Sequence, residues 1–192
     1  MKNPFQQIKK NRKKMLLRYI SRAFATGSTF RMLRSKHKSD WFRSKLQEVL
    51  RDGRALARNM TDEHFDGHLI EAIRRLRKAT GRREKERISF GHAAKLINLY
   101  VKALALHRDV IPNGIAKKIR KHAHVPLDRI ILKRAMKDFP NCVSALGIKR
   151  NTGVGQISEE QYKGLQSLLR GAARKEGMEP LAYDLWWADR DE

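Results

Sequence analysis

The chain has 192 residues, with 43 Lys and Arg against 20 Asp and Glu and a formal net charge of +23. Such a balance disfavours basic partners and puts polyanions, nucleic acid above all, first among ligands. The single cysteine, Cys142, excludes an intramolecular disulfide framework, and there is no apolar run of the ~18 residues needed to span a bilayer, so no membrane partner is expected.

The charge is uneven. Residues 1–60 carry 17 basic and 3 acidic side chains (+14), residues 61–150 carry 21 and 9 (+12), and residues 151–192 carry 5 and 8 (−3). The anion-binding surface is therefore expected on the first three quarters of the chain. Apolar residues recur at helical spacing with no sustained period-two alternation, so the chain reads as all-α. The expected organisation is one compact multi-helix domain over residues 1–192, with a basic N-terminal helix or arm over residues 1–27.

In chain order, a first amphipathic helix is expected over residues 4–24, carrying Phe5, Ile8, Met15, Leu16, Tyr19 and Ile20, before Gly27 and Ser28 break it. Asp40 reads as the N-cap of a second helix holding Trp41, Phe42, Leu46, Val49 and Leu50. Thr61 caps a third, in which Phe65, Leu69, Ile70, Ile73 and Leu76 repeat at three and four, until Gly81 and the charged run 82–87. Residues 91–107 form the most apolar helix, hence the central one. Pro112-Asn113-Gly114 turns the chain into a short basic helix ending near His122. Pro126 precedes a helix holding Ile130, Ile131, Leu132 and Met136, which Pro140 stops. Ser158-Glu159-Glu160-Gln161 has the spacing of a capping box and opens a helix to about residue 173. A last helix starts near Glu179-Pro180 and ends with Trp186 and Trp187.

Two positions stand out for chemistry. Lys95 lies near the start of the central helix, where the helix dipole disfavours a cation and so favours the neutral amine that a nucleophile requires. Lys95, Asn98 and Lys102 share one stripe, with His92 close to it, while Ala94, Ile97, Val101 and Leu104 share another. The competing reading makes the polar stripe the solvated side of an amphipathic helix. Asp128 stands at a helix start, either as a cap or as a carboxylate able to stabilise positive charge on a reacting sugar; one residue can do both.

Ser89-Phe90-Gly91-His92-Ala93-Ala94-Lys95 resembles the hairpin, of the form Leu-Pro-Gly-Val-Gly-x-Lys, of the helix-hairpin-helix superfamily of DNA glycosylases. Val125-Pro126-Leu127-Asp128 resembles the Val-Pro-Val-Asp segment that follows it in those enzymes. Ala93 replaces the second hairpin glycine, and the separation of 33 residues from Lys95 to Asp128 is longer than usual. In that length the chain is similar to the archaeal 8-oxoguanine glycosylase branch and its bacterial anti-phage relatives acting on glucosylated hydroxymethylcytosine. The resemblance covers about residues 85–135. It implies a glycosylase fold, a base flipped out of double-stranded DNA, and Lys95 and Asp128 as catalytic residues. A neutral Lys95 attacking C1′ would give a Schiff base and permit strand cleavage; a charged one would leave the attack to water. The expected pocket residues are His92, Asn98, His124, Trp186 and Trp187. The expected contacts to the DNA backbone are Lys9, Lys10, Arg12, Lys13 and Lys14, with Lys102, Lys117, Lys118, Arg120 and Lys121. No nucleotide-binding glycine loop, metal cluster or flavin motif occurs, so no cofactor is expected. The expected location is a bacterial or archaeal cytoplasm, on the nucleoid.

A noncatalytic nucleic-acid-binding protein of a mobile element, or a ribosome-associated protein, accounts for the charge equally well. In that case Lys95 contacts phosphate and Asp128 is a cap. The readings part on geometry, because an enzyme needs Lys95 and Asp128 at one cleft.

Overall fold

The computed structural model describes residues 61–81, 87–106 and 112–184. Regular structure among them is all helical: α1 (Asp62–Thr80), α2 (Phe90–Leu106), α3 (Asn113–His122), α4 (Arg129–Asp138), α5 (Pro140–Ala145) and α6 (Glu159–Lys175), with a 3-10 turn at Val154–Gln156. A further 3-10 stretch covers residues 180–184. The helices expected over residues 4–24 and after Asp40 lie outside the described residues, as do Lys9, Lys10, Arg12, Lys13, Lys14, Trp186 and Trp187.

α1 begins as its sequence dictates. Thr61 Oγ1 accepts the His64 amide at 3.2 Å, Asp62 and Glu63 occupy the first turn, and Arg77 and Lys78 the last, each sign matched to the helix dipole. Its apolar stripe, Phe65, Leu69, Ile70, Ile73 and Leu76, is buried and packs on α2. The end of α1 also grips the start of α2: Arg77 Nε donates to the Ile88 carbonyl, and Thr80 Oγ1 accepts the Ile88 amide.

α2 is the central helix, covered by α1, α3, α6 and the 3-10 turn, with twelve of its residues buried. Ser89 caps it, accepting the His92 amide on Oγ and the Ala93 amide on its carbonyl. The backbone is helical from Phe90 onward, so Gly91 and His92 lie in the first turn of α2 and Lys95 in its second. Gly91 is needed for close approach rather than for a turn: a Cβ there would lie 1.8 Å from the Val154 carbonyl oxygen.

Pro140 ends α4, as expected, and then occupies the first turn of α5. α5 closes on Gly147, whose φ of 70° lets the Gly147 amide reach Ser144 O and the Ile148 amide reach Val143 O. α6 opens with the anticipated capping box between Ser158 and Gln161.

Candidate functional site

The segment joining α3 to α4 runs extended through the core, with Ala123, His124, Val125 and Leu127 buried. Two residues of α6 fix it. Gln166 Oε1 accepts the Val125 amide at 2.9 Å while its Nε2 donates to the Val125 carbonyl at 2.8 Å. Tyr162 Oη stands 2.7 Å from His124 Nδ1, and His124 Nε2 lies 2.7 Å from Asp66 Oδ1 on α1. Asn98 Nδ2 donates to the same Tyr162 oxygen at 2.8 Å. A single proton arrangement satisfies the chain: Asn98 donates to Tyr162, Tyr162 to Nδ1 of His124, and the Nε2–H of His124 to Asp66. Burial pushes the Tyr162 phenol up and lowers His124, with Asp66 opposing the latter, so both stay neutral at pH 7. Burial would raise Asp66 too, but hydrogen bonds from His124 and Arg170, with the Arg170 charge, hold it at about 2.

This clamp delivers Asp128 to the start of α4. Its Oδ1 accepts the amides of both Ile130 and Ile131 at 2.9 Å, so the carboxylate is the N-cap.

Lys95 opens into a cavity of about 570 Å³ between α2, α4 and the loop before the 3-10 turn. His92, Arg129, Lys133 and Arg150 share its wall with the apolar Leu132 and Met136, and no acidic residue does. His92 is held by Ser89 Oγ, 2.8 Å from its Nδ1. Burial, and then the charge of Lys95, lower its pKa, so the ring is neutral at pH 7. Gly155 makes room for it, since a Cβ there would come within 2.7 Å of His92 Cε1.

Asp128 does not line this cavity, yet it and Lys95 act on a common neighbour. Asp184 is buried and ion-paired with Lys102. Burial raises its carboxyl; Lys102 pulls it down, the charge of Asp128 raises it again, and that of Lys95 lowers it. Lys95, Lys102, Asp128 and Asp184 therefore form one electrostatic group.

Of the expected pocket residues described, only His92 lines the Lys95 cavity. Asn98 and His124 are corrected: they are 0 % and 2 % exposed and serve the clamp, because Tyr162 supplies each with a buried partner. Two expected backbone contacts also change. Lys102 is paired with Asp184, and Arg120 donates to Glu179 and to the Ala105 carbonyl. Lys117, Lys118 and Lys121 are exposed on α3. Sequence reasoning missed Asp184, Arg129, Lys133 and Arg150; for Arg129 and Lys133 a clue existed, their i, i+4 spacing in a stretch poor in acids. Among the described residues no group of three or more His, Cys, Asp or Glu is placed to hold a metal, and no helix is long and apolar enough to cross a membrane.

No protein-family model, curated protein or solved structure matches the chain.

Proposed function

We propose that the protein is a DNA glycosylase of helix-hairpin-helix glycosylase-like fold that flips a modified base from the duplex and cleaves its N-glycosidic bond. The observation that carries this reading is the cavity of about 570 Å³ lined both by Lys95 and by Arg129, the residue that follows Asp128 at the start of α4, with no acidic side chain on its wall. Base departure builds positive charge at C1′, which a rigidly held carboxylate at the start of α4 stabilises. The C1′–N bond breaks with its electron pair going to the base, and either water or the Lys95 amine forms the new bond to C1′. Attack by water leaves the abasic site directly; attack by the amine, with its proton passing to the ring oxygen as the sugar opens, gives a Schiff base that water then hydrolyses. Glucosylated hydroxymethylcytosine of phage DNA, which would make the protein an anti-phage enzyme, and 8-oxoguanine are the two substrates the reading names.

A noncatalytic nucleic-acid binder is favoured by a different observation: Asp128 lies off the wall of the Lys95 cavity, and two backbone amides engage its Oδ1. The test is incubation of wild type, Asp128→Asn and Lys95→Gln with phage DNA carrying the glucosylated base and with an 8-oxoguanine duplex, scoring abasic sites by alkaline cleavage. Excision by wild type that disappears in Asp128→Asn establishes the glycosylase. Binding by all three proteins with no abasic sites on either DNA assigns the noncatalytic role.

A further inference from the structure

Among the described residues, the basic side chains paired with a carboxylate include Arg75, with Glu71, and Arg174, with Asp62, while Lys78, Lys117, Lys121 and Lys175 are exposed with no such pair. Arg74, Lys102, Arg120, Arg134, Lys163 and Arg170 each pair with a carboxylate as well. Arg129, Lys133, Lys137, Lys149 and Arg150 do not: each is exposed, and no carboxylate among the described residues pairs with any of them.

These five lie together. Arg129, Lys133 and Lys137 are four apart on α4 and form one ridge, whereas Arg134, off that ridge, turns to Asp138 at 2.9 Å. Lys149 and Arg150 follow Gly147, where the positive φ reverses the chain after α5. The Lys95 cavity and a second concavity of about 680 Å³ share Lys133, Met136 and Arg150, so the two run into one another. Lys95 and Arg129 line one end, Lys137 and Lys149 the other, and neither part has an acidic residue on its wall. Adjacent cations on the ridge rise by about 6 Å along the helix axis, comparable to the separation of successive phosphates on a nucleic-acid strand. Uncompensated like charges at such spacing repel one another, and a polyanion relieves that repulsion.

We propose that the groove between α4 and the loop over residues 147–153 is the track for the phosphodiester backbone of one DNA strand, leading past Lys137 and Lys149 to Arg129 and Lys95. The proposal deepens the function given above, and rests on it only in taking the Lys95 end as the place of the target nucleotide. The exposed cations of α3 are then a minor part of the footprint.

The test is fluorescence anisotropy with a short unmodified DNA duplex as probe over a salt series. Wild type is compared with a groove triple, Lys133→Gln, Lys137→Gln and Lys149→Gln, and with an α3 triple, Lys117→Gln, Lys118→Gln and Lys121→Gln. Each lost phosphate contact removes about 0.9 from the slope of log affinity on log salt, so the groove triple is expected to lose about 2 to 3 and to bind at least about tenfold more weakly, while the α3 triple stays within about threefold. Changing the same three groove lysines to Arg is expected to retain binding. The proposal is overturned if the groove triple binds like wild type, if the α3 triple loses as much, if the Arg version binds as poorly as the Gln version, or if wild type binds anionic phospholipid vesicles instead of the duplex. Because the probe carries no modified base, the result is independent of excision. A protein that makes no abasic sites yet shows the slope loss keeps the groove and loses the glycosylase, and the reverse pattern does the opposite.

Discussion

Tyr162 Oη lies 2.7 Å from His124 Nδ1 with both side chains buried, so each is the other's substitute for water. Removing the hydroxyl leaves His124 Nδ1 and Asn98 Nδ2 without that partner, and an unsatisfied buried polar group costs about 1–3 kcal/mol. Tyr162→Phe is therefore expected to lower the unfolding free energy by about that amount in urea denaturation. A change of only a few tenths would mean the hydrogen-bonded chain contributes little.

The same network sets the response to acid. Asp66 is held at about 2 against an ordinary 3.8, so in that interval the unfolded chain binds the proton first. Its contribution is complete above 3.8 and is lost as pH falls toward 2. Burial lowers His124 below its ordinary 6.5, and there too the unfolded chain is protonated first, so a separate loss sets in as pH falls below 6.5. The urea midpoint is expected to decline in these two ranges, and Asp66→Asn is expected to flatten the lower decline. A midpoint constant from neutral pH down to about 2 would contradict both assignments.

Two glycines give opposite expectations. Gly91→Ala forces a methyl into the Val154 carbonyl, which is backbone and cannot swing aside, so the 3-10 turn must shift from α2 at a cost of about 1–3 kcal/mol. Gly67 lies inside α1 with nothing within 4 Å of the point a Cβ would occupy, and Gly67→Ala is expected to gain about 0.5–1 kcal/mol from helix propensity. Thermal melts of the two variants should therefore move in opposite directions.

Asp128 separates capping from chemistry. Asparagine caps a helix about as well as aspartate, whereas alanine loses about 0.5–2 kcal/mol. Asp128→Asn is expected to melt like wild type and Asp128→Ala lower, with excision absent in both. Excision retained by Asp128→Asn would reduce this residue to a cap.

Local features were legible in the sequence. The caps at Thr61 and Ser158 and the buried stripe of α1 depend on residues within a few positions of one another, and all three are present. The place of His92 beside Lys95 follows from the same periodicity. Asn98 and His124 were not legible as core, because Tyr162 and Asp66, which make their burial affordable, lie on other helices. The pairing of Lys102 and Arg120 was hidden for a related reason: Asp184 and Glu179 belong to the acidic end of the chain, and only folding returns them to α2 and α3. The spacing of Arg129, Lys133 and Lys137 is visible in the sequence, but its juxtaposition with Lys149 and Arg150 depends on the reversal at Gly147.

Gln166 meets Val125 with one donor and one acceptor, as a residue on a flanking β-strand would. An all-helical region thus contains a one-residue imitation of sheet pairing, and the address of Asp128 is written in a helix far along the chain. A fragment ending before α6 would keep the instructions for α4 and its cap while losing the reference point that says where they belong.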